Sequence, residues 1–185
     1  MTIKEILKIV CLLSGRDGVK NYLETGGDAN AETLETVNKL TALANLVINE
    51  LSSTYIPMVK TEKVNVSGGK VKYTELSERA LEIKAVYCEN GIEEGFKCAA
   101  EFFTTSNGSK YVEYEYLPSN YGLDDEIGYT ERDVPTRVLA YGVLAEFAIC
   151  ENRYDEAVSH HKRYVDGVAQ ICMPKNAVIK KRSFV

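Results

Sequence analysis

A chain of 185 residues and 20.6 kDa has the size of one domain, or of one domain that carries a small sub-domain. Its hydrophobic fraction of 45% is sufficient for a packed core, and charged residues make up a further 26%. The formal net charge of -5 argues against a dedicated DNA- or RNA-binding protein and against docking on anionic lipid, because both need a basic surface. No apolar run approaches the roughly 20 residues that span a bilayer, so the composition indicates a soluble structural or interaction protein.

The five cysteines are scattered along the chain and include no C-x-x-C pair. This pattern is typical of buried, reduced thiols in a reducing cytoplasm. The cysteines are Cys11, Cys88, Cys98, Cys150 and Cys172. The N-terminal stretch has the apolar character of a signal peptide, but Glu5 and Lys8 interrupt it and no small-residue cleavage site follows. We therefore expect a helix there.

The N-terminal part of the chain begins with a clear helix signal. Thr2 and Glu5 form a T-x-x-E capping box, apolar residues recur after it at helical spacing, and Gly15 ends the helix. Residues 16–30 contain three glycines and are predicted to form a loop, with at most a short turn over residues 20–23.

The longest predicted helix covers residues 31–55, which carry a continuous apolar stripe, and Pro57 closes it. Beyond Pro57 the apolar period changes from helical to alternating, which predicts strands. Residues 64–66 and 71–73 flank Ser-Gly-Gly and predict a first hairpin.

Two further turn signals follow in the β-rich region. Residues 81–87 alternate between apolar and polar side chains and lead to the turn Asn90-Gly91. Residues 96–105 and 110–117 flank Asn-Gly, the dipeptide most typical of tight hairpins. In the second arm one face carries Val112, Tyr114 and Tyr116, and the other carries Glu113 and Glu115. We expect a small antiparallel sheet that is covered on one face only.

Helical spacing returns in the C-terminal part. Residues 120–133 are an acidic linker with glycines, and Asp133 or Val134 is the expected cap of the next helix. A tight connection leads into a last helix over residues 154–172, and two helices joined this closely must lie antiparallel. Residues 174–185 are basic and without helical spacing, which predicts an extended arm.

The sequence thus predicts an α+β fold: a helical bundle of the long helix and a C-terminal helical hairpin, with an inserted small antiparallel β-sheet domain and an extended C-terminal arm. The predicted segments are the N-terminal helices (1–56), the β-rich insert (57–130), the helical hairpin that packs on residues 30–56 (131–173) and the basic arm (174–185). No internal repeat or low-complexity segment interrupts this order.

No motif for catalysis, cofactor binding or metal binding stands out, since HExxH, zinc-type Cys/His spacing, G-x-S-x-G and a phosphate-binding glycine loop are all missing from the sequence. His160 and His161 point about 100° apart on a helix, and His161, on the apolar stripe, is predicted to be structural. The acidic clusters at residues 93–94 and 124–126 lack the spacing of a calcium loop and are expected to be solvated turns. We expect a protein that is not an enzyme and uses no cofactor or metal.

Two features favour contact with other proteins. The chain has 12 tyrosines and no tryptophan, and tyrosines crowd the end of the β-rich region, where they either form an interface or cover the sheet. The basic arm interleaves apolar side chains with cations, which suits a segment that folds onto a partner; the alternative is a solvated tail. The candidate partner-binding residues are Tyr114, Tyr116 and Tyr121 in the β-rich region and Val178, Ile179, Lys180, Lys181, Arg182 and Phe184 in the arm.

The order of these patterns resembles a known family. A long apolar helix ends near Tyr55-Ile56-Pro57, strands follow over residues 83–87 and 112–118, and a helical hairpin reads Val134-Pro135-Thr136-Arg137 and then Arg153-Tyr154-Asp155-Glu156-Ala157. From about residue 30 to residue 172, this order is similar to that of the head-to-tail adaptor (connector) proteins of tailed bacteriophages and prophages.

The resemblance implies a structural virion protein without catalysis. Copies would form a ring, commonly dodecameric, that binds the portal protein on one side and the tail or stopper protein on the other. The ring would assemble in the host bacterial cytoplasm and end in the virion neck, with DNA passing through it without specific binding. The arm would dock on the portal. Two alternatives stay open: another neck or tail-completion protein, and a monomeric ligand-binding module whose tyrosine-rich β insert forms a pocket.

Overall fold

The structure, a computed structural model, describes residues 1–27 and 29–173. Within these residues five α-helices and two small antiparallel sheets form an α+β fold, which confirms the predicted class. The helices are α1 (Ile3–Ser14), α2 (Asp17–Thr25), α3 (Ala31–Glu50), α4 (Thr136–Cys150) and α5 (Tyr154–Cys172). The strands are β1 (Met58–Val66), β2 (Lys70–Lys72), β3 (Arg79–Cys88), β4 (Glu93–Glu94), β5 (Lys97–Cys98), β6 (Phe102–Thr104) and β7 (Gly108–Leu117).

The predicted capping box is present at the start of α1. The Glu5 backbone N–H donates to Thr2 Oγ1 at 3.3 Å, and the Thr2 N–H donates to Glu5 Oε2 at 2.8 Å. The predicted helix stop is also confirmed, because Gly15 takes a left-handed conformation with φ 67°.

The loop predicted for residues 16–30 is wrong, because α2 occupies Asp17–Thr25. Val19 and Leu23 lie four residues apart, so one face of this short helix is apolar, and both side chains are buried in the helical core. Packing thus outweighs the cost of Gly18 in the first turn.

The long predicted helix is confirmed as α3, and its last five residues, Leu51–Tyr55, widen into one π-helical turn. The backbone N–H of Ile56 donates to the carbonyl of Leu51 at 2.8 Å, which closes that turn. At the other end, Asn30 Oδ1 accepts from the Thr33 N–H at 2.7 Å and caps the helix.

The strands pair differently from the prediction, and both the 64–73 hairpin and the Asn107-Gly108 hairpin are wrong. The larger sheet has the order β1-β7-β3-β4 and the smaller one β2-β6-β5. Strand β1 pairs with β7 along its whole length, and only the Ser67–Lys70 bridge remains of the first hairpin. Strand β7 lies between β1 and β3 because Val112 and Tyr114, both fully buried, need neighbours on each side.

Other details of the β-rich region agree with the prediction. The Asn90-Gly91 turn joins β3 to β4, and Gly91 has φ 78°, which favours glycine there. Along β7 the apolar positions face inward and Glu113 and Glu115 lie on the other face. A second apolar cluster forms under the sheets; its buried members are Val66, Val71, Leu76, Ile83, Val86, Phe103, Val112 and Tyr114.

The segment predicted as a linker, residues 120–133, contains no helix or strand, but it is held against the helices. Lys4 N–H donates to the Leu123 carbonyl at 2.9 Å, and Ile127 N–H donates to the Met1 carbonyl at 3.0 Å. Buried Ile127 and Tyr129 join the helical core, so this segment is part of the packed structure.

Helix α4 lies at the centre of the helical core. Pro135 is its N-cap, one or two residues later than predicted, and ten of its residues are buried, more than one predicted stripe would bury. The predicted tight connection to α5 is present, with Asn152 in the left-handed region at φ 58°. The predicted segment boundaries and the predicted insertion of a β-sheet domain between the helices stay predictions.

Candidate interaction surface

An exposed row of apolar side chains runs along α5. The helix packs on α4 through buried Ala157, Tyr164 and Val168. A second set of exposed apolar side chains lies on a different face of α5, with the exposed His161 and Lys162 between Val158 and Val165. This set, called here the α5 stripe, consists of Tyr154, Val158, Val165 and Ala169 in the helix and of Met173, the C-cap, whose backbone is extended.

The exposure of the α5 stripe is large for a folded protein. Val158 is 70% exposed, Tyr154 and Met173 are each 62% exposed, and Val165 is 41% exposed. Single exposed apolar residues are ordinary, but an aligned row of them marks a contact surface. Covering a valine side chain completely stabilises a contact by roughly 1.5 kcal/mol or more.

The α5 stripe ends at the last described residue, Met173, directly before the predicted arm. All six candidate partner-binding residues of the arm lie outside the described residues: Val178, Ile179, Lys180, Lys181, Arg182 and Phe184.

A smaller exposed apolar group lies where α1 and α4 end. An ion pair of 3.1 Å between Arg16 and Glu151 holds these two helix ends side by side. Near these helix ends in the chain, Leu12 is 62% exposed, Ile149 is 47% exposed and Leu13 is 40% exposed. The described residues therefore expose apolar side chains at these helix ends as well as on α5.

The tyrosines of the β-rich region range from buried to exposed, with Tyr114 and Tyr129 buried and Tyr111 38% exposed. Tyr114 is fully buried and its hydroxyl donates to Glu62 Oε2 at 2.8 Å, so Tyr114 has no surface to offer a partner. Tyr121 and Tyr116 are half-buried, and the Tyr121 hydroxyl contacts Met58 Sδ at 3.8 Å. The Tyr129 hydroxyl donates to the Ile56 carbonyl at 2.5 Å, and burial raises its pKa. Covering the sheet and joining it to the helices accounts for these side chains.

A polar cluster around the buried Lys110 joins β3, β4 and β7, and sequence reasoning missed it. Glu94 accepts from Lys110 Nζ at 2.8 Å, from Cys88 Sγ at 2.6 Å and from Ser106 Oγ at 2.6 Å. These hydrogen bonds lower the pKa of Glu94 to about 2, and the bond from Cys88 has the largest effect. Glu94 is therefore a weak base. The expectation that residues 93–94 form a solvated turn is wrong for Glu94.

The alternation of inward- and outward-facing residues along β7 could have revealed this cluster, because it places a lysine on the inward face. Lys110 is two residues before Val112, so it faces inward with the apolar row, and its side chain is only 6% exposed. A lysine at an inward position needs an anion beside it, and Glu94, whose side chain is 25% exposed, supplies it.

The histidine and cysteine predictions need correction. His161 is exposed, whereas His160 is half-buried and stacks on the Tyr141 ring at 6.1 Å. The helix is rotated slightly from the predicted stripe, because Tyr164 and Val168 set its contact with α4. All five thiols are free, but only Cys11 is buried, and burial raises its pKa to about 11; Cys98, Cys150 and Cys172 are exposed.

The described part of the chain contains no group of three or more His, Cys, Asp or Glu side chains that could hold a metal ion. Within the same residues, no helix combines the length and apolar character that crossing a membrane requires. No protein-family model matches the chain, and no curated protein matches it significantly.

Proposed function

We propose that this chain is a structural virion protein, a head-to-tail adaptor that forms a ring between the portal and the tail of a phage or prophage. The observation that carries the proposal is the α5 stripe, a set of apolar side chains that no described residue covers and that ends at Met173, directly before the basic arm in the sequence. The resemblance in chain order supports the same function.

A ring needs two different surfaces on each copy, because every copy contacts its neighbours head to tail. The α5 stripe supplies one surface, and the group at Leu12, Leu13 and Ile149 supplies the second. In the assembled ring, the stripe of one copy would cover the second surface of the next copy.

In this proposal the helices, the strands and the arm have different roles. The helices form the scaffold, and the strands between α3 and α4 form an inserted β-sheet domain that reaches toward neighbouring copies or the tail. The arm, residues 174–185, docks on the portal. The net charge of -5 repels phosphate, which lets DNA pass without specific binding. The protein acts in the virion neck without catalysis, cofactor or metal.

The test is the mass and shape of the particles that the full chain forms. Light scattering behind size exclusion over a concentration series, with negative-stain images, is run for the chain alone and with the portal protein of the same phage or prophage. Closed rings in either sample support the proposal. A chain that stays monomeric alone and leaves a preformed portal ring unbound contradicts it.

The alternatives predict other outcomes in this experiment. A tail-completion protein would bind tail components and leave the portal ring free. A monomeric ligand-binding module would need tyrosine hydroxyls directed into a pocket, whereas those of Tyr114, Tyr121 and Tyr129 are used inside the protein. The geometry therefore favours the adaptor over the binding module.

A further inference from the structure

Two arginines converge on one tyrosine hydroxyl at the contact of α4 and α5. Arg137 donates to Tyr141 Oη from Nε at 3.1 Å and from Nη2 at 2.8 Å, and Arg163 donates to the same oxygen from Nη1 at 3.2 Å. The Tyr141 side chain is 7% exposed, while both arginines reach the surface. The phenol thus holds two guanidinium groups side by side at the edge of solvent.

Neither of these two positive charges is neutralised within residues 1–27 and 29–173. Arg16 pairs with Glu151 at 3.1 Å and Arg153 pairs with Glu156 at 2.6 Å, but Arg137 and Arg163 form no ion pair there. Two like charges that share one acceptor repel each other, and this repulsion is relieved when an anion binds between them.

The hydroxyl of Tyr141 also lacks an acceptor for its own hydrogen among the described residues, since all three of its hydrogen bonds are accepted ones. Burial opposes ionisation of Tyr141, but the hydrogen bonds from Arg137 and Arg163 outweigh it and lower its pKa. His160 stacks on the ring with an interplanar angle of 22° and restricts its movement.

We propose that the cluster of Arg137, Tyr141 and Arg163 is a binding site for a dianionic phosphate group, either inorganic phosphate or a phosphomonoester. Each guanidinium keeps N–H donors that Tyr141 does not use, and planar forks of this kind match phosphate oxygens. A phosphate group carries roughly -1.5 to -2 charges at neutral pH, which balances two arginines, whereas a carboxylate carries only one charge and two oxygens. The site is independent of ring formation.

Isothermal titration of the full chain with inorganic phosphate, at constant ionic strength, tests the site. Arg163→Gln removes one cation, and Tyr141→Phe removes the shared hydroxyl while keeping the ring. Arg163→Gln should weaken binding about tenfold or more, as expected for loss of a charge-assisted hydrogen bond, and Tyr141→Phe should weaken binding because the hydroxyl that positions both guanidinium groups is lost. The control is Lys162→Gln, which makes the same charge change at the neighbouring exposed residue and should leave binding unchanged.

Phosphate also stabilises proteins nonspecifically at high concentration, so the titration uses low millimolar phosphate and circular dichroism verifies the fold of each variant. Equal binding by the wild type and all three variants overturns the proposal, and so does no binding by the folded wild type.

A second arm of the titration identifies the source of the phosphate. A nucleoside monophosphate is compared with a DNA duplex that has hydroxyl ends and therefore only phosphodiesters. Monophosphate binding that depends on Arg163, together with no binding of the duplex, supports a dianion site open to phosphomonoesters. Inorganic phosphate binding without monophosphate binding supports the free ion as ligand. Duplex binding through Arg163 with no phosphate binding overturns the proposal.

Discussion

The carboxylate of Glu94 receives hydrogen bonds from Cys88, Lys110 and Ser106, and they lower its pKa from the ordinary value to about 2. Because the folded-state pKa lies below the unfolded-state value, the stabilisation is complete above about pH 4.5 and is lost as the pH falls toward 2. We expect the melting temperature of the wild type to fall more steeply than that of Glu94→Gln between about pH 5 and pH 2.5.

Thermal melts followed by circular dichroism at a series of pH values measure this difference. Glu101→Gln, at an exposed glutamate near β6, is the control and should follow the wild-type curve. Parallel curves for wild type and Glu94→Gln would show that the contacts to Glu94 contribute nothing to the pH dependence.

Asn45 fixes the linker to α3 at a single buried side chain. Its Oδ1 accepts from the Tyr121 N–H at 2.7 Å, and its Nδ2 donates to the Tyr121 carbonyl at 2.9 Å. Asn45→Leu removes both bonds and leaves buried backbone groups of Tyr121 without partners, so we expect the free energy of unfolding to fall by about 2–3 kcal/mol. Urea denaturation measures the loss. Asn38→Leu, at an exposed position of the same helix, should change stability by less than about 0.5 kcal/mol.

At the scale of elements, Gly142 permits the close packing of α4 between α3 and α5. A Cβ at this position would lie 2.7 Å from Val47 Cγ1 of α3 and 3.2 Å from Tyr164 Cδ2 of α5. Gly142→Ala should therefore lower the free energy of unfolding by about 1–3 kcal/mol, although alanine is the better helix former.

The control for this packing argument is Gly18→Ala in α2. A Cβ there would meet no atom within 4 Å, so the substitution should raise stability by about 0.5–1 kcal/mol. Urea denaturation of the two variants should thus give changes of opposite sign, and two changes of the same sign would contradict the packing explanation.

Sequence patterns predicted the positions of helices and strands better than they predicted which strands pair. Helical spacing located α1, α3, α4 and α5, because each helix satisfies its backbone hydrogen bonds locally. The alternating pattern of β7 predicted which residues face inward, but it could not show that β7 pairs with β1 and β3, since pairing depends on distant segments. Residues 64–73 and 96–117 were therefore assigned to hairpins by their turn dipeptides alone.

The interaction surface was predictable only in part for a related reason. Helical spacing over residues 154–172 predicts one apolar stripe of Tyr154, Ala157, His161, Tyr164, Val168 and Ile171. Ala157, Tyr164 and Val168 are buried as predicted, whereas Tyr154 and His161 are exposed. Val158 and Val165 are equally apolar, and sequence alone could not show that no neighbouring element covers them. The arginines around Tyr141 were missed because Arg137 and Arg163 come together only when α4 and α5 pack.

At the scale of the whole molecule, the α5 stripe should determine assembly and leave the fold unaffected. Val158 and Val165 are both exposed in the single chain, so Val158→Glu combined with Val165→Glu should preserve the melting temperature and helix content. In a ring both side chains would be covered, and losing them would weaken each contact by about 3 kcal/mol, roughly a hundredfold or more in its association constant. Light scattering, alone or with the portal ring, should then report monomers.

The matched control adds the same two charges to another face of α5. Ser159 and Gln170 are exposed and lie outside the stripe, so Ser159→Glu combined with Gln170→Glu should assemble as the wild type does. If both double variants assemble normally, the stripe is not the contact between copies. If both fail, added negative charge is the cause and the apolar contact is not shown. Ring formation is assigned to these two valines only if the stripe variant alone loses assembly and keeps its melting temperature. That result excludes both the added negative charge and unfolding as the cause of the lost assembly.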